Sequence, residues 1–222
     1  MAKIVAVVPI KLNNRRLPQK NTKSFTNGSP LCHYILTTLL KVNRIDEIYV
    51  YCSNQAIRKY MPEGVKYLKR SESLDKDTTK MNEVLHSFAL DIPADIYVMT
   101  HTTAPFITAE AINRGLDAVE LDGYDSSFAA KKIQDFLWKD GKPVNYNPDN
   151  IPRTQDLKPI YAETSGFYIY NYDVIVKLKR RIGNNPYIVE VSEVEAVDID
   201  EEEDFMIADA INYFREKMKN GG

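Results

Sequence analysis

The chain reads as an α/β protein with a mainly parallel sheet. Three observations predict this class. Continuous apolar runs of strand length, such as Ile4–Pro9 and Asp95–Thr100, mark strands buried on both faces. Helix-spaced apolar segments alternate with them through the first half, as βαβ units require. No internal repeat or low-complexity linker interrupts the 222 residues, so one domain spanning 1–222 is expected.

The elements follow in order. After the Ile4–Pro9 strand comes a polar, basic loop, Lys11 to Ser24, and then a helix over Leu31–Leu40. Ile45–Cys52 is a second strand, Gln55–Tyr60 a short helix and Val65–Leu68 a short strand. Lys80–Leu90 has helical amphipathicity and Asp95–Thr100 is the third buried strand. Thr108–Leu121 is a helix with Thr108 as its N-cap, since a hydroxyl there can accept an orphan backbone N–H. Beyond it the pattern changes. Ser126–Ala130 and Phe136–Trp138 read as strands, with Asp140-Gly141 as a hairpin turn. Residues 142–159 are polar and proline-containing, as in an extended binding or partner-contacting arm. Tyr168–Tyr170 is a strand, Asp173–Arg181 a helix and Tyr187–Val191 a strand. Glu201–Lys219 closes the chain as a helix whose acidic first turn suits the helix dipole.

Composition narrows the function. A hydrophobic share of 44% with 27% charged residues is that of a soluble globule. A net charge of −2 argues against nucleic acid as a partner, so any phosphate site must come from local clustering of cations. The apolar start is too short to span a bilayer and lacks a signal cleavage site, so no membrane role is expected. Cys32 and Cys52 sit within apolar stretches and read as buried thiols of a cytoplasmic protein. His33 and His86 fall inside helices, as packing or surface residues. Trp138 is expected to bury itself against the arm.

In a parallel sheet, ligands bind beyond the carboxyl ends of the strands. The loop after the first strand carries Lys11, Arg15, Arg16 and Lys20. It is either a solvated basic loop or a triphosphate site, and it has no P-loop pattern. Asp198 and Asp200 flank Ile199. In extended backbone they share a face and could hold one Mg²⁺, or they could belong to the acidic start of the last helix. Arg153 could clamp a carboxylate, and Gly166 could let backbone approach a ligand closely.

Taken together, these segments resemble the cytidylyltransferases of the CMP-sialic acid and CMP-KDO synthetase family. The resemblance lies in Pro9-Ile10-Lys11 through Arg15 to Pro18-Gln19-Lys20-Asn21, in Arg70, in Asp77-Thr78-Thr79-Lys80, in His101-Thr102-Thr103-Ala104-Pro105, in Arg153 to Tyr168 and in Val197 to Asp200. It implies a Rossmann-like nucleotidyltransferase fold (GT-A-like, three-layered) with a dimerisation arm at about 142–159. It further implies CTP as donor, Mg²⁺ as cofactor, an acidic sugar as acceptor and a homodimer. Nucleotide contacts would come from Lys11, Asn14, Arg15, Asn21, Arg70 and Thr79. Acceptor contacts would come from His101, Thr103, Arg153, Gln155 and Glu163. Lys20, Asp198 and Asp200 would be catalytic, the two aspartates also holding the metal. The sequence departs from the family at Lys11-Leu12-Asn13-Asn14 and at His101, which replaces a glutamine. The acceptor therefore stays open among N-acylneuraminate-like acids, KDO and smaller acids such as a phosphonate. A non-catalytic nucleotide-sugar-binding homologue is a further alternative.

Overall fold

The apolar run at the start of the chain becomes the middle of a sheet because every side chain in it finds protein on both faces. The computed structural model describes residues 2–14 and 16–220. Strand β1 (Ile4–Pro9) is buried throughout and is flanked by parallel β2 (Glu47–Cys52) and β4 (Ile96–Thr100). With β3 (Val65–Lys69), β5 (Ser126–Ile133), β8 (Ile160–Asn171) and β9 (Pro186–Val191), the order across the sheet is β3-β2-β1-β4-β8-β5-β9. All pairings are parallel except those of β8, which runs antiparallel between β4 and β5.

Alternation along the strands sorts side chains between two layers of helices. Ala6 and Val8 of β1 face α1 (Leu31–Leu39) and α3 (Ala109–Glu120), where Ile35, Leu36, Ile112 and Leu116 are fully buried. Val5 and Val7 face α2 (Met81–Asp91) and α4 (Tyr172–Val176), with Phe88 edge-on to Tyr51 and Tyr97. Each such aliphatic or aromatic side chain contributes about 1.5–3 kcal/mol by leaving water. The predicted three-layer α/β architecture is therefore the one observed. A third cluster joins Leu17, Phe25 and Phe106 to Ile199, Phe205 and Ala208, so that α5 (Glu202–Asn220) fastens the end of the chain to the first loop. Among the described residues, no helix is long and apolar enough to cross a membrane. Cys32 and Cys52 are free and buried; burial pushes the Cys32 thiol up to about 12.

Several elements differ from expectation. β8 has twelve residues rather than three, because Thr164, Ser165 and Gly166 continue the strand across a register shift at Phe128/Ala130. α4 ends at Val176 rather than Arg181: Lys179 is left-handed (φ 54°) and the Arg180 N–H returns to the Val174 carbonyl. The expected strand over Phe136–Trp138 is the two-residue β6 (Trp138–Lys139), paired with β7 (Lys142–Pro143) through Asp140 and Gly141, both at positive φ. Trp138 is 59% exposed and meets Tyr146 edge-on rather than being buried. Gly166 is required by packing: a Cβ there would lie 2.5 Å from Ile107 Cδ1 and 3.1 Å from the Ala129 Cβ.

Gly166→Ala overpacks a site whose neighbour Ile107 is only 2% exposed, and it should cost about 1–3 kcal/mol in a denaturant titration. Adding Ile107→Val removes the closest atom, so the double variant should be less destabilised than the sum of the singles.

Candidate active site

The strand order reverses direction between β1 and β4, which opens a crevice beyond their carboxyl ends. Both connecting loops enter it and are tied to each other. The Asn21 side-chain amide donates to the Lys11 carbonyl (2.7 Å) and to Asn14 Oδ1 (3.3 Å), while its own oxygen accepts from the Thr102 hydroxyl. Asn21 is buried by this, so its amide braces the β1 loop against the β4 loop.

Lys20 follows a left-handed Gln19 and starts a single 3₁₀ turn. Its ammonium donates to the Ile199 carbonyl (2.7 Å) and to Asp200 Oδ1 (3.1 Å). The cationic loop and the carboxylates near the other end of the chain thus meet. The Ile199 N–H also bonds the Thr103 carbonyl (2.9 Å), which draws 198–200 onto the β4 loop. Ile199 is wholly buried between an exposed Asp198 and a half-exposed Asp200, so both carboxylates stand on the open side. Burial works against ionisation of Asp200, but Lys20 and then Arg16, at 2.8 Å, hold its carboxyl below the usual range. Asp204 accepts from the Asp200 and Glu201 N–H groups (both 2.9 Å), so capping of α5 falls to Asp204 and leaves Asp198 and Asp200 available.

Two hollows of about 570 and 560 Å³ lie against the first loop, and both are lined by Asn13 and Asp75. Lys11, Asn14, Asp77 and Thr78 line the second, with Lys11 paired to Asp77 at 2.9 Å. Thr78 rather than the predicted Thr79 forms that wall; Thr79 is half-buried, its N–H turned to the Lys76 carbonyl. Arg70 is 3% exposed and donates to Asp75 Oδ1 (2.5 Å), fixing a wall residue of the first hollow from beneath. Arg15 lies outside the described residues.

His101 is close enough to Lys20, Asp200 and Arg181 to feel their charge, Thr103 bonds Ile199 through its carbonyl, and Glu163 neighbours Arg181. Thr103 Oγ1 is 3.4 Å from Ser165 Oγ, and Glu163 accepts from the Tyr168 hydroxyl (2.9 Å). Burial pushes the His101 imidazole down to about 4, with Arg181 and Lys20 adding repulsion and Asp200 opposing. It is therefore an uncharged group at neutral pH. Arg153 and Gln155 are not brought to this crevice within the chain. Both are exposed on the 142–159 segment, and Arg153 is spent on Asp156 (2.8 and 3.1 Å). The sequence reading missed Asp75 and Arg181; an Arg180-Arg181 pair just ahead of Gly183 was the available signal for the latter.

Two carboxylates two residues apart suit Mg²⁺, which takes one or two protein oxygens and completes its shell with phosphate and water. Among the described residues no group of three or more His, Cys, Asp or Glu could hold a metal, so a cation at Asp198 and Asp200 would share its ligands with a phosphate-bearing substrate.

A three-layer sheet with its ligand crevice at the β1/β4 reversal is the architecture of the nucleotidyltransferase fold. It superposes on the structure of CMP:2-keto-3-deoxy-manno-octonic acid synthetase complexed with CTP with a TM-score of 0.74, at 16% identity, over 96% of this chain and 100% of that one. It also matches 4-diphosphocytidyl-2C-methyl-D-erythritol synthase of Anaerococcus prevotii, with a TM-score of 0.70 at 14% identity, covering 96% of each chain. The cytidylyltransferase family model matches residues 5–217, and the chain belongs to that family. N-acylneuraminate cytidylyltransferase A of Danio rerio is 24% identical over 216 residues, which are 93% of this chain and 50% of that protein. CMP-N,N'-diacetyllegionaminic acid synthase of Legionella pneumophila is 24% identical over 194 residues, 82% of this chain and 81% of that one. The chain spans about half the length of the N-acylneuraminate cytidylyltransferases it matches.

The His101 environment has a pH signature. Between about 6.5, the ordinary value, and about 4, the unfolded chain binds a proton that the folded chain refuses, so His101 lowers stability as pH falls through that window. In thermal melts, His101→Gln should lose less stability than the parent between pH 7 and 4. Parallel curves would show that the imidazole is not suppressed.

Proposed function

We propose that the chain is a cytoplasmic, Mg²⁺-dependent enzyme that transfers CMP from CTP to a hydroxyl of an acidic sugar and releases pyrophosphate. The observation that carries this reading is Lys20, whose ammonium ties the cationic first loop to Ile199 and Asp200 near the other end of the chain. Family membership and the names of the relatives support it.

The acceptor oxygen attacks the α-phosphorus of CTP and gives up its proton to solvent, while the bond from that phosphorus to the bridging oxygen of pyrophosphate breaks. Such a displacement needs alignment and charge stabilisation more than covalent help. Lys11 and Lys20 neutralise the phosphates, and the Lys20 ammonium keeps a third hydrogen for an oxygen of the nucleotide. Asp198 and Asp200 would hold Mg²⁺, which when bound withdraws charge from phosphate oxygens. His101, uncharged, accepts the hydrogen bond of the attacking hydroxyl, and Thr103 and Glu163 orient the acceptor.

Arg153 and Gln155 act from the 142–159 arm in a homodimer. Val144 and Ile151 of the arm, together with Trp138 at its base, are large apolar side chains left in water, which a second copy would cover.

Pyrophosphate release should require CTP and an acid, with UTP and GTP poor substitutes. Asp198→Ala and Asp200→Ala should each lower turnover on the order of a hundredfold or more, a few kcal/mol of transition-state stabilisation. Unchanged turnover in both, or release that no acid stimulates, contradicts the reading. Sedimentation should show a dimer that Trp138→Ser with Ile151→Ser converts to monomer; a parent that is already monomeric removes the arm's assigned role.

A further inference from the structure

Arg181 differs from the other cations around the crevice. Lys11, Arg16, Lys20 and Arg70 each have a carboxylate oxygen within 3.1 Å. The carboxylate paired with Arg181 is Glu163, and it stands off at 3.9 Å. What holds Arg181 is an aromatic ring: the guanidinium lies 3.8 Å from the Tyr168 centroid, and Nη2 donates to the Tyr168 hydroxyl at 3.1 Å. Stacking orients a guanidinium without neutralising it, so its remaining N–H groups keep their affinity for an anion.

The turn that presents it is rigidly framed. The Asp125 carboxylate accepts from the N–H groups of Asn184 (2.6 Å) and Asn185 (3.0 Å), and the Gly183 N–H donates to Ser126 Oγ (2.8 Å). A Cβ on Gly183 would come within 2.2 Å of the Asp125 carboxyl group, so only glycine lets the turn lie this close. Arg181 opens onto a hollow of about 440 Å³ whose opposite wall is Lys80 and Asn82, with Glu163 between them. Lys80 follows two residues after Thr78, which lines the hollow beside Lys11, and Tyr168 is near enough to Asp198 to feel its charge. The same guanidinium also acts, like Lys20, on His101.

We propose that Arg181 binds the acidic group of the acceptor, in the hollow between the 180–183 turn and the start of α2. Lys80 adds positive charge there, and Glu163 accepts hydrogen bonds from acceptor hydroxyls. The assignment rests on the transferase reading above and names the side chain that makes an acid, rather than a neutral sugar, the acceptor. A planar guanidinium fork matches a carboxylate with two parallel hydrogen bonds, which a lysine at the same place reproduces only in charge.

The test compares the parent with Arg181→Ala and Arg181→Lys in the full chain. An N-acylneuraminate and 2-keto-3-deoxy-manno-octonic acid serve as acceptors, each as the free acid and as its methyl ester, with pyrophosphate release as readout. The parent should prefer acid to ester, and Arg181→Ala should erase that preference. Its KM for the acid should rise about tenfold or more while its KM for CTP moves less than about twofold, with Arg181→Lys in between. A purely structural role for the stacked arginine would depress kcat or stability and leave the acid-to-ester ratio in place; that result overturns the proposal. If the parent turns over neither acid, the transferase reading fails by itself. Calorimetric binding of the same acids in the presence of CTP then decides the subsite: loss of binding in Arg181→Ala supports it, whereas equal binding, or none to the parent, overturns it.

Discussion

The arrangement at the crevice depends on one buried ammonium. Lys20 is 7% exposed, and a cation at that depth must be matched by oxygens that the fold itself delivers. Those oxygens belong to Ile199 and Asp200, about 180 residues further along the chain. The first loop therefore takes its shape only when the end of the chain is in place, and the carboxylates are aimed only when Lys20 is. Packing of Leu17 and Phe25 against Ile199 and Phe205 supplies the apolar support for this polar contact. Asp204, by occupying the N–H groups of residues 200 and 201, keeps the pair of aspartates clear of helix capping.

Polar residues around the crevice divide into those buried within the protein and those more open to a ligand. Asn21 and Arg70 are buried, and their hydrogen bonds brace the loops and Asp75. Asp198, Lys11 and Arg181 are more open. The first group gives a rigid frame and the second gives the chemistry, which is how a site of charged groups can exist before a substrate arrives. His101 belongs between them, since its surroundings refuse it a charge while its position leaves it close to both Lys20 and Arg181.

Much of this was legible in the residues. Uninterrupted apolar runs marked β1 and β4, Thr108 announced the start of α3, and Asp140-Gly141 announced the hairpin, because each is governed by local physics. Lys20, Asp198 and Asp200 were nameable because Pro18-Gln19-Lys20-Asn21 and Val197 to Asp200 resemble the motifs of the cytidylyltransferases; charge and spacing alone left a solvated loop and an acidic helix start open. The extent of β8 was hidden by Ser165 and Gly166, which weaken a strand signal; the glycine fits here because Ile107 fills the space a side chain would need. Arg181 was hidden for a related reason. Helical spacing seemed to run through it, whereas hydrogen bonds to Asp125, a residue more than fifty positions earlier, turn the backbone away. Long-range contacts of this kind leave no trace in periodicity.

The insertion of β8 between β4 and β5 also sets an order on assembly. β5 pairs with β8 and β9 alone, and both follow it in the chain. As the polypeptide leaves the ribosome, β1, β2, β3 and β4 can join as soon as each emerges, whereas β5 waits without an edge to dock on until residues 160–191 have been made. The intervening hairpin and arm emerge during that wait. Nascent chains halted before β8 would thus carry a finished half-sheet whose β4 edge is bare and a loose apolar strand beside it. Such a species would be inclined to pair with its neighbours on the same message before it could complete itself.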